Sequence, residues 1–180
     1  AGAREAAAKI CYPVVLKACS EDATHKTELG LVAVGLSTRK ELADAYRSMS
    51  KKYRGAWLVQ EMVKGQRELM IGMVRDAQFG PSVMFGLGGI FTEILKDVAF
   101  RVAPVRKRDA LEMMASIRAH RILDDVRGMK AVDREIIARS LMALGRIGLD
   151  FPVISEIDVN PMIVRGRQPV AVDGLIVLGG

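Results

Sequence analysis

Aromatic residues are scarce in this chain: 5% of the sequence, with a single tryptophan. No basic stretch is interleaved with Phe or Tyr, which argues against a surface that binds single-stranded nucleic acid by stacking its bases. Cysteine is scarcer still, with only Cys11 and Cys19. Both lie in or beside an apolar strand, so they read as small buried hydrophobes in a reducing compartment, not as a disulfide or a metal site. No apolar run reaches the length of a membrane span, and the nearest, 83–95, is broken by glycines, Thr92 and Glu93. The opening residues AGAREAAAK lack the apolar core of a secretory signal. Internal repeats and low-complexity linkers are absent too. The expectation is a cytoplasmic protein with neither nucleic acid nor membrane as partner.

What is present is ordinary for a globular protein. The 180 residues are half hydrophobic and 27% charged, enough for one large domain or two small lobes. A formal net charge of +6 favours an anionic partner, nucleotide and CoA among the candidates.

The stretch Tyr12 to Gly30 (YPVVLKACSEDATHKTELG) organises the first third. An apolar run, Val14-Val15-Leu16, ends on Lys17, and a polar loop carrying His25 and Lys26 follows. Two ammonium groups so placed can neutralise a polyphosphate. A strand that simply ends on a solvated lysine fits the same residues. Thr38-x-x-Glu41 matches a capping box and predicts a helix from there to about Tyr53. Strand-like runs follow at 56–63, 68–74, 82–85, 90–95 and 98–102 with hairpin-length links, which implies an antiparallel sheet. The GLGG between Phe85 and Ile90 reads either as backbone amides approaching an anion or as a plain tight turn. Helices are predicted over 110–121, capped by Asp109, and over 133–149. His120 reads as a surface residue of the first. A last β-region spans 153–159, 162–164 and 170–178.

The second informative stretch is Glu156-Ile157-Asp158-Val159-Asn160-Pro161, followed by Ala171-Val172-Asp173. Alternation along a strand turns Glu156, Asp158 and Asn160 to one face, and three oxygen-bearing side chains there call for a cation. Magnesium accepts carboxylates, an amide oxygen, waters and phosphate oxygens, and Asp173 on a partner strand would complete the set. The polar side of an edge strand is the other reading.

YPVVLK…HKTELG, the block FGPSVMFGLGGIFTE, and EIDVNPMIV…AVD occur in this order, and with them the chain resembles the ATP-grasp domain of ADP-forming acyl-CoA synthetases. It is more distantly similar to the β-subunit of succinyl-CoA synthetase. The resemblance implies an α+β ATP-grasp fold with two lobes of mixed or antiparallel sheet and flanking helices. A smaller nucleotide lobe would occupy roughly 13–63 and a larger lobe with the magnesium site 64–180. Family members carry a helix and strand before the YPVVLK strand, so the expectation is a domain lacking its N-terminal part.

The resemblance also implies roles. Lys17 and Lys26 would hold nucleotide phosphates, and His25 would relay phosphate between ATP and a phosphohistidine on a CoA-ligase module. The hinge Glu61, Met62 and Val63 would pair with adenine, and Glu68 would lie near the ribose. Asn160 and Asp173 would bind magnesium with Asp158 beside them, and Glu93 would support. The implied reaction is acid + CoA + ATP to acyl-CoA + ADP + phosphate, with ATP or ADP and Mg2+ bound here and CoA on another domain or subunit of an oligomeric enzyme. The alternative is a regulatory, non-catalytic ATP-grasp domain in a synthetase-like protein acetyltransferase. Three departures stand out: Cys11 where the family usually has Gly, Leu31 where a second Gly usually follows Gly30, and Gly174 where Ala is usual.

Overall fold

The computed structural model describes residues 10–19, 29–89 and 97–179. It divides into two compact units, Ala1–Met62 and Val63–Gly180.

The first unit is a three-stranded antiparallel sheet in the order β2-β1-β3, with β1 Val14–Cys19, β2 Val32–Leu36 and β3 Ala56–Glu61. Helix α1, Arg39–Met49, begins as the capping box predicts. The Thr38 hydroxyl accepts from the Glu41 amide at 3.1 Å, and the Glu41 carboxylate accepts from Ser37 N–H at 2.8 Å. Leu42 and Met49 of α1 pack onto Val14, Leu16 and Val59, so one face of the sheet is core. Tyr46 and Tyr53 stand edge-on to Trp57, which packs against this unit's small core.

The second unit is a six-stranded antiparallel sheet, with the path β6-β5-β4-β7-β8 and β9 also on β7. Its strands are β4 Glu68–Asp76, β5 Gly80–Leu87, β6 Val98–Val102, β7 Ile154–Arg165, β8 Gln168–Ala171 and β9 Leu175–Leu178. Helices α2, Lys107–Ser116, and α3, Arg134–Asp150, cover one face. The core joins Leu69, Ile71 and Met73 of β4, Val83 and Phe85 of β5, and Ile157 of β7 to Met113, Ile137 and Leu141 from the helices. The opposite strand positions form a second face.

Several boundaries differ from the sequence reading. Asp109 does not cap α2 from outside; it is the third helical residue, and its carboxylate accepts from Arg106 N–H at 2.8 Å. The helix therefore starts earlier and ends at Ser116, where Ile117 turns to extended backbone. His120 opens a short 3-10 turn, His120–Leu123. β7 does not stop at Asn160-Pro161 but runs through it, absorbing an extra residue as a bulge. The run 170–178 is two strands, not one. The predicted strand at 90–95 and the Ala-rich opening segment lie outside the described residues. Cys11 and Cys19 are exposed and unbridged, not buried, because both fall at or beyond the ends of β1.

Candidate nucleotide and magnesium site

Lys17 lies near the end of β1, paired with Val32 and Leu58. Leu16 and Val59 belong to the α1 side, so alternation puts Lys17 on the other face, where it is only 6% exposed. A buried ammonium is tolerated only with anionic or hydrogen-bonding company. Glu61 ends β3, an edge strand. Met62 N–H donates to Pro13 C=O at 3.2 Å. By alternation that turns the Glu61 backbone groups away from β1. Met62's own amide is committed to the strand pair. Val63 begins the second unit.

In the second unit, Glu68 opens β4 and meets the end of β5. Gly88 N–H donates to Glu68 C=O at 2.9 Å. A Cβ at Gly88 would sit 2.7 Å from Leu69 C=O, and one at Gly89 (φ +65°) would sit 2.2 Å from Glu68 Oε2. These glycines are needed for close approach to β4. The Glu68 carboxylate thus lies against Gly89, the last described residue of GLGG.

β7 carries the acidic set. Asp158 pairs with Gly72 of β4 and Leu175 of β9, and Glu156 pairs with Val74 and Val177. Both point to the helix-free face, as alternation predicts. Asn160 departs from that pattern: it sits in the bulge between Val159, paired with Ile71, and Met162, paired with Leu69. Asp173 lies in the three-residue link from β8 to β9, not within a strand, and Val172 N–H anchors the link on Pro161 C=O at 3.1 Å. The carboxyl of Asp158 is held above the usual range, first by burial and then by the Glu156 and Asp173 charges. Its Oδ1 is shielded from solvent without a hydrogen-bond partner. An orphaned carboxylate oxygen under the charges of Glu156 and Asp173 is a hard-oxygen position that fits magnesium. Among the described residues no three His, Cys, Asp or Glu side chains form a metal cage, so the remaining positions would fall to water and phosphate.

A shallow cavity of ≈ 170 Å³ adjoins Asp158, lined by Met70, Val74, Met84 and Glu156 among others. Beside it Gly72 allows β4 and β7 to pack closely, since a Cβ there would meet Ile157 C=O at 2.8 Å and the Met84 side chain at 3.3 Å. A glycine in mid-strand was the available signal for this close packing. Arg67 gave no signal at all. Buried to 3% exposure, it donates to the carbonyls of Ile122, Asp124, Lys130 and Gly166 at 2.6–3.2 Å. It thereby ties the entry of β4 to the α2–α3 connection and to the β7–β8 turn. His25, Lys26 and Glu93 lie outside the described residues.

The ATP-grasp domain family matches residues 1–178. The chain belongs to that family. It is 43% identical to the β subunit of the ADP-forming acetate–CoA ligase I of Pyrococcus furiosus, over 94% of this ATP-grasp chain and 77% of that subunit. Against acetate–CoA ligase I of Archaeoglobus fulgidus the identity is 42%, covering 98% of this domain but 27% of that longer protein. Among solved structures, acetyl-coenzyme A synthetase 1 of Ca. Korarchaeum cryptofilum superposes with a TM-score of 0.88 at 42% identity, covering 98% of this chain and 81% of that one. It was solved with coenzyme A and Mg-AMPPCP, its phosphohistidine segment pointing towards the nucleotide-binding site. The α+β ATP-grasp fold and the resemblance to ADP-forming acyl-CoA synthetases are both borne out. This ATP-grasp domain is thus of the kind carried by ADP-forming acetate–CoA ligases.

Proposed function

We propose that this domain performs the nucleotide half-reaction of an ADP-forming acyl-CoA synthetase: phosphoryl transfer between ATP and a histidine, with magnesium. The observation that carries the reading is the orphaned Asp158 Oδ1 under the charges of Glu156 and Asp173, a site in want of a hard cation. Lys17 supplies the buried positive charge that the phosphates require, and Lys26 adds a second. The edge backbone at Glu61, with Met62 and Val63, receives the adenine, and Glu68 the ribose. Magnesium, held by Asn160 and Asp173 with Asp158 adjacent, shields phosphate charge as the bond to the γ-phosphoryl group breaks. His25 accepts and releases the phosphoryl group, a step suited to neutral imidazole near pH 7. Two lobes, 13–63 and 64–180, share these duties. Acid and CoA bind on a companion CoA-ligase domain or subunit, within an oligomeric enzyme. Two exposed, unbridged cysteines support a reducing, cytoplasmic setting.

The test is phosphorylation of His25. The chain is incubated with γ-labelled ATP and magnesium, alone and with a CoA-ligase companion, beside His25→Ala. Acid-labile label that disappears in the variant is expected. Nucleotide binding without label would refute the relay and favour the sensor domain of a protein acetyltransferase.

A further inference from the structure

The turn that leaves helix α1 reaches the chain on both sides of the segment that carries His25 and Lys26. That segment, 20–28, lies outside the described residues, but the residues flanking it are placed by β1 and β2. Ala18 N–H donates to Leu31 C=O at 3.0 Å, so the Cys19 backbone groups turn the other way, towards β3, whose first residue Ala56 stands opposite. At that end of the strand pair the Tyr53 hydroxyl donates to Cys19 C=O. On the other side of the segment, a Cβ on Gly30 would sit 3.1 Å from Lys52 Nζ, so the same turn lies against Gly30 as well.

Tyr53 is held for this contact from three sides. Its N–H donates to Met49 C=O at 3.1 Å and that of Lys52 to the same carbonyl at 2.9 Å, so the turn extends α1, whose Met49 is core. Its ring meets Trp57 edge-on with centroids 5.6 Å apart, and Trp57 pairs with Ala18 of β1. Gly55 leaves room for the phenol, since a Cβ there would lie 2.3 Å from the Tyr53 hydroxyl oxygen. Ring packing alone does not call for the hydroxyl, because a phenylalanine serves an edge-on contact equally. The hydroxyl instead joins residues 34 positions apart in the chain.

We infer, resting on the reading of His25 as the phosphate relay, that Tyr53 is a positioning residue for that transfer, acting through the Cys19 carbonyl. A carbonyl held in one direction fixes the plane of its peptide group, and the peptide after Cys19 is where the chain departs for His25, six residues on. Over so short a tether an error in that plane is passed on to the imidazole. Group transfer tolerates little of it, since a misplacement of about 1 Å can cost a hundredfold in rate. Nucleotide affinity is less demanding. Lys17 is placed by strand partners on both sides, and Lys26 acts by Coulomb attraction, which falls off gently with distance. Tyr53 should therefore govern the rate of transfer and leave nucleotide binding nearly untouched.

The test compares Tyr53→Phe with Tyr46→Phe, which removes the same atom from the other ring that meets Trp57 edge-on. The chain, with a CoA-ligase companion, is mixed with saturating γ-labelled ATP and magnesium, and acid-labile label on His25 is followed by rapid quench. Mg-AMPPCP affinity is measured alongside by calorimetry. Expected for Tyr53→Phe are transfer slowed about tenfold or more and Mg-AMPPCP affinity within about threefold of wild type. Tyr46→Phe should match wild type in both. Transfer at the wild-type rate in Tyr53→Phe would overturn the inference. Equal slowing in Tyr46→Phe would do so too, by tracing the effect to the aromatic cluster as a whole. A fall in affinity as large as the fall in rate would make Tyr53 a nucleotide-binding group and overturn its positioning role. Wild-type chain that binds Mg-AMPPCP but takes no label refutes the relay reading itself, and the role of Tyr53 with it.

Discussion

Replacing Asp158 by Asn separates what the site requires from what the fold prefers. Asp158 is raised in pKa by burial and by the Glu156 and Asp173 charges, so the folded chain binds its proton more tightly than the unfolded chain does. The stability linked to that proton is fully present below the unfolded value, near 3.9, and is lost as pH rises through the raised folded value. At neutral pH the ionised carboxylate is therefore a burden, with Oδ1 shielded and unpartnered. The half-buried charge beside two others of its own sign, screened by water, costs about 1 kcal/mol. Asn keeps the shape and removes the charge. For a chain of this size the gain is about 2–4 °C in melting temperature. Asp158→Asn should thus melt higher than wild type at pH 7 without magnesium, with the gap closing as pH falls towards 4. Adding Mg-AMPPCP should reverse the order, since the metal stabilises wild type and finds a weaker ligand in the variant. Scanning calorimetry across pH, with and without Mg-AMPPCP, reads all of this. A variant less stable than wild type at pH 7, or a gap independent of pH, would refute the account of an orphaned carboxylate.

Three further outcomes follow from named contacts. Arg67→Met keeps the bulk but strips donors from the four buried carbonyls it serves, and urea unfolding should lose about 3–5 kcal/mol. Cys11 holds φ at +71°, a backbone setting natural to glycine. Cys11→Gly should therefore stabilise the chain by about 0.5–1 kcal/mol in the same assay, the relief of strain being partly offset by a freer unfolded chain. Lys17→Met should fold with an unchanged circular dichroism spectrum and bind Mg-AMPPCP about 10–100-fold more weakly, the loss of one charge-assisted contact to phosphate.

The elements legible in the sequence were those with a short-range signal. Thr38-x-x-Glu41 set the start of α1, and hairpin-length links gave the antiparallel order of β4 and β5. Alternation put Glu156 and Asp158 on one face. Elements set by distant partners were not legible. The strand through Asn160-Pro161 survives because β4 and β8 pair with it on either side, which a local rule against proline in strands does not foresee. Arg67 looks like one more basic residue until four carbonyls from two separate connections converge on it. The oddity at Cys11, by contrast, was visible as a residue where the family has glycine, and the left-handed backbone supplies its meaning.

Both sheets divide their labour in the same way, and alternation is the reason. In the small unit, Val14 and Leu16 face α1 while Lys17 faces away; in the large unit, Ile157 faces the helices while Asp158 faces away. A strand that buries every second residue must offer the residues between to something else. In the first unit that offer is a buried cation, and in the second it is an orphaned carboxylate. Neither burial is favourable by itself, because a charge taken from water costs several kcal/mol unless it is met. Lys17 offers a positive charge that suits a phosphate, and Asp158 an orphaned oxygen that suits a hard cation. That is why Mg-nucleotide, rather than free nucleotide or free metal, is the species whose binding should most raise the stability of this chain.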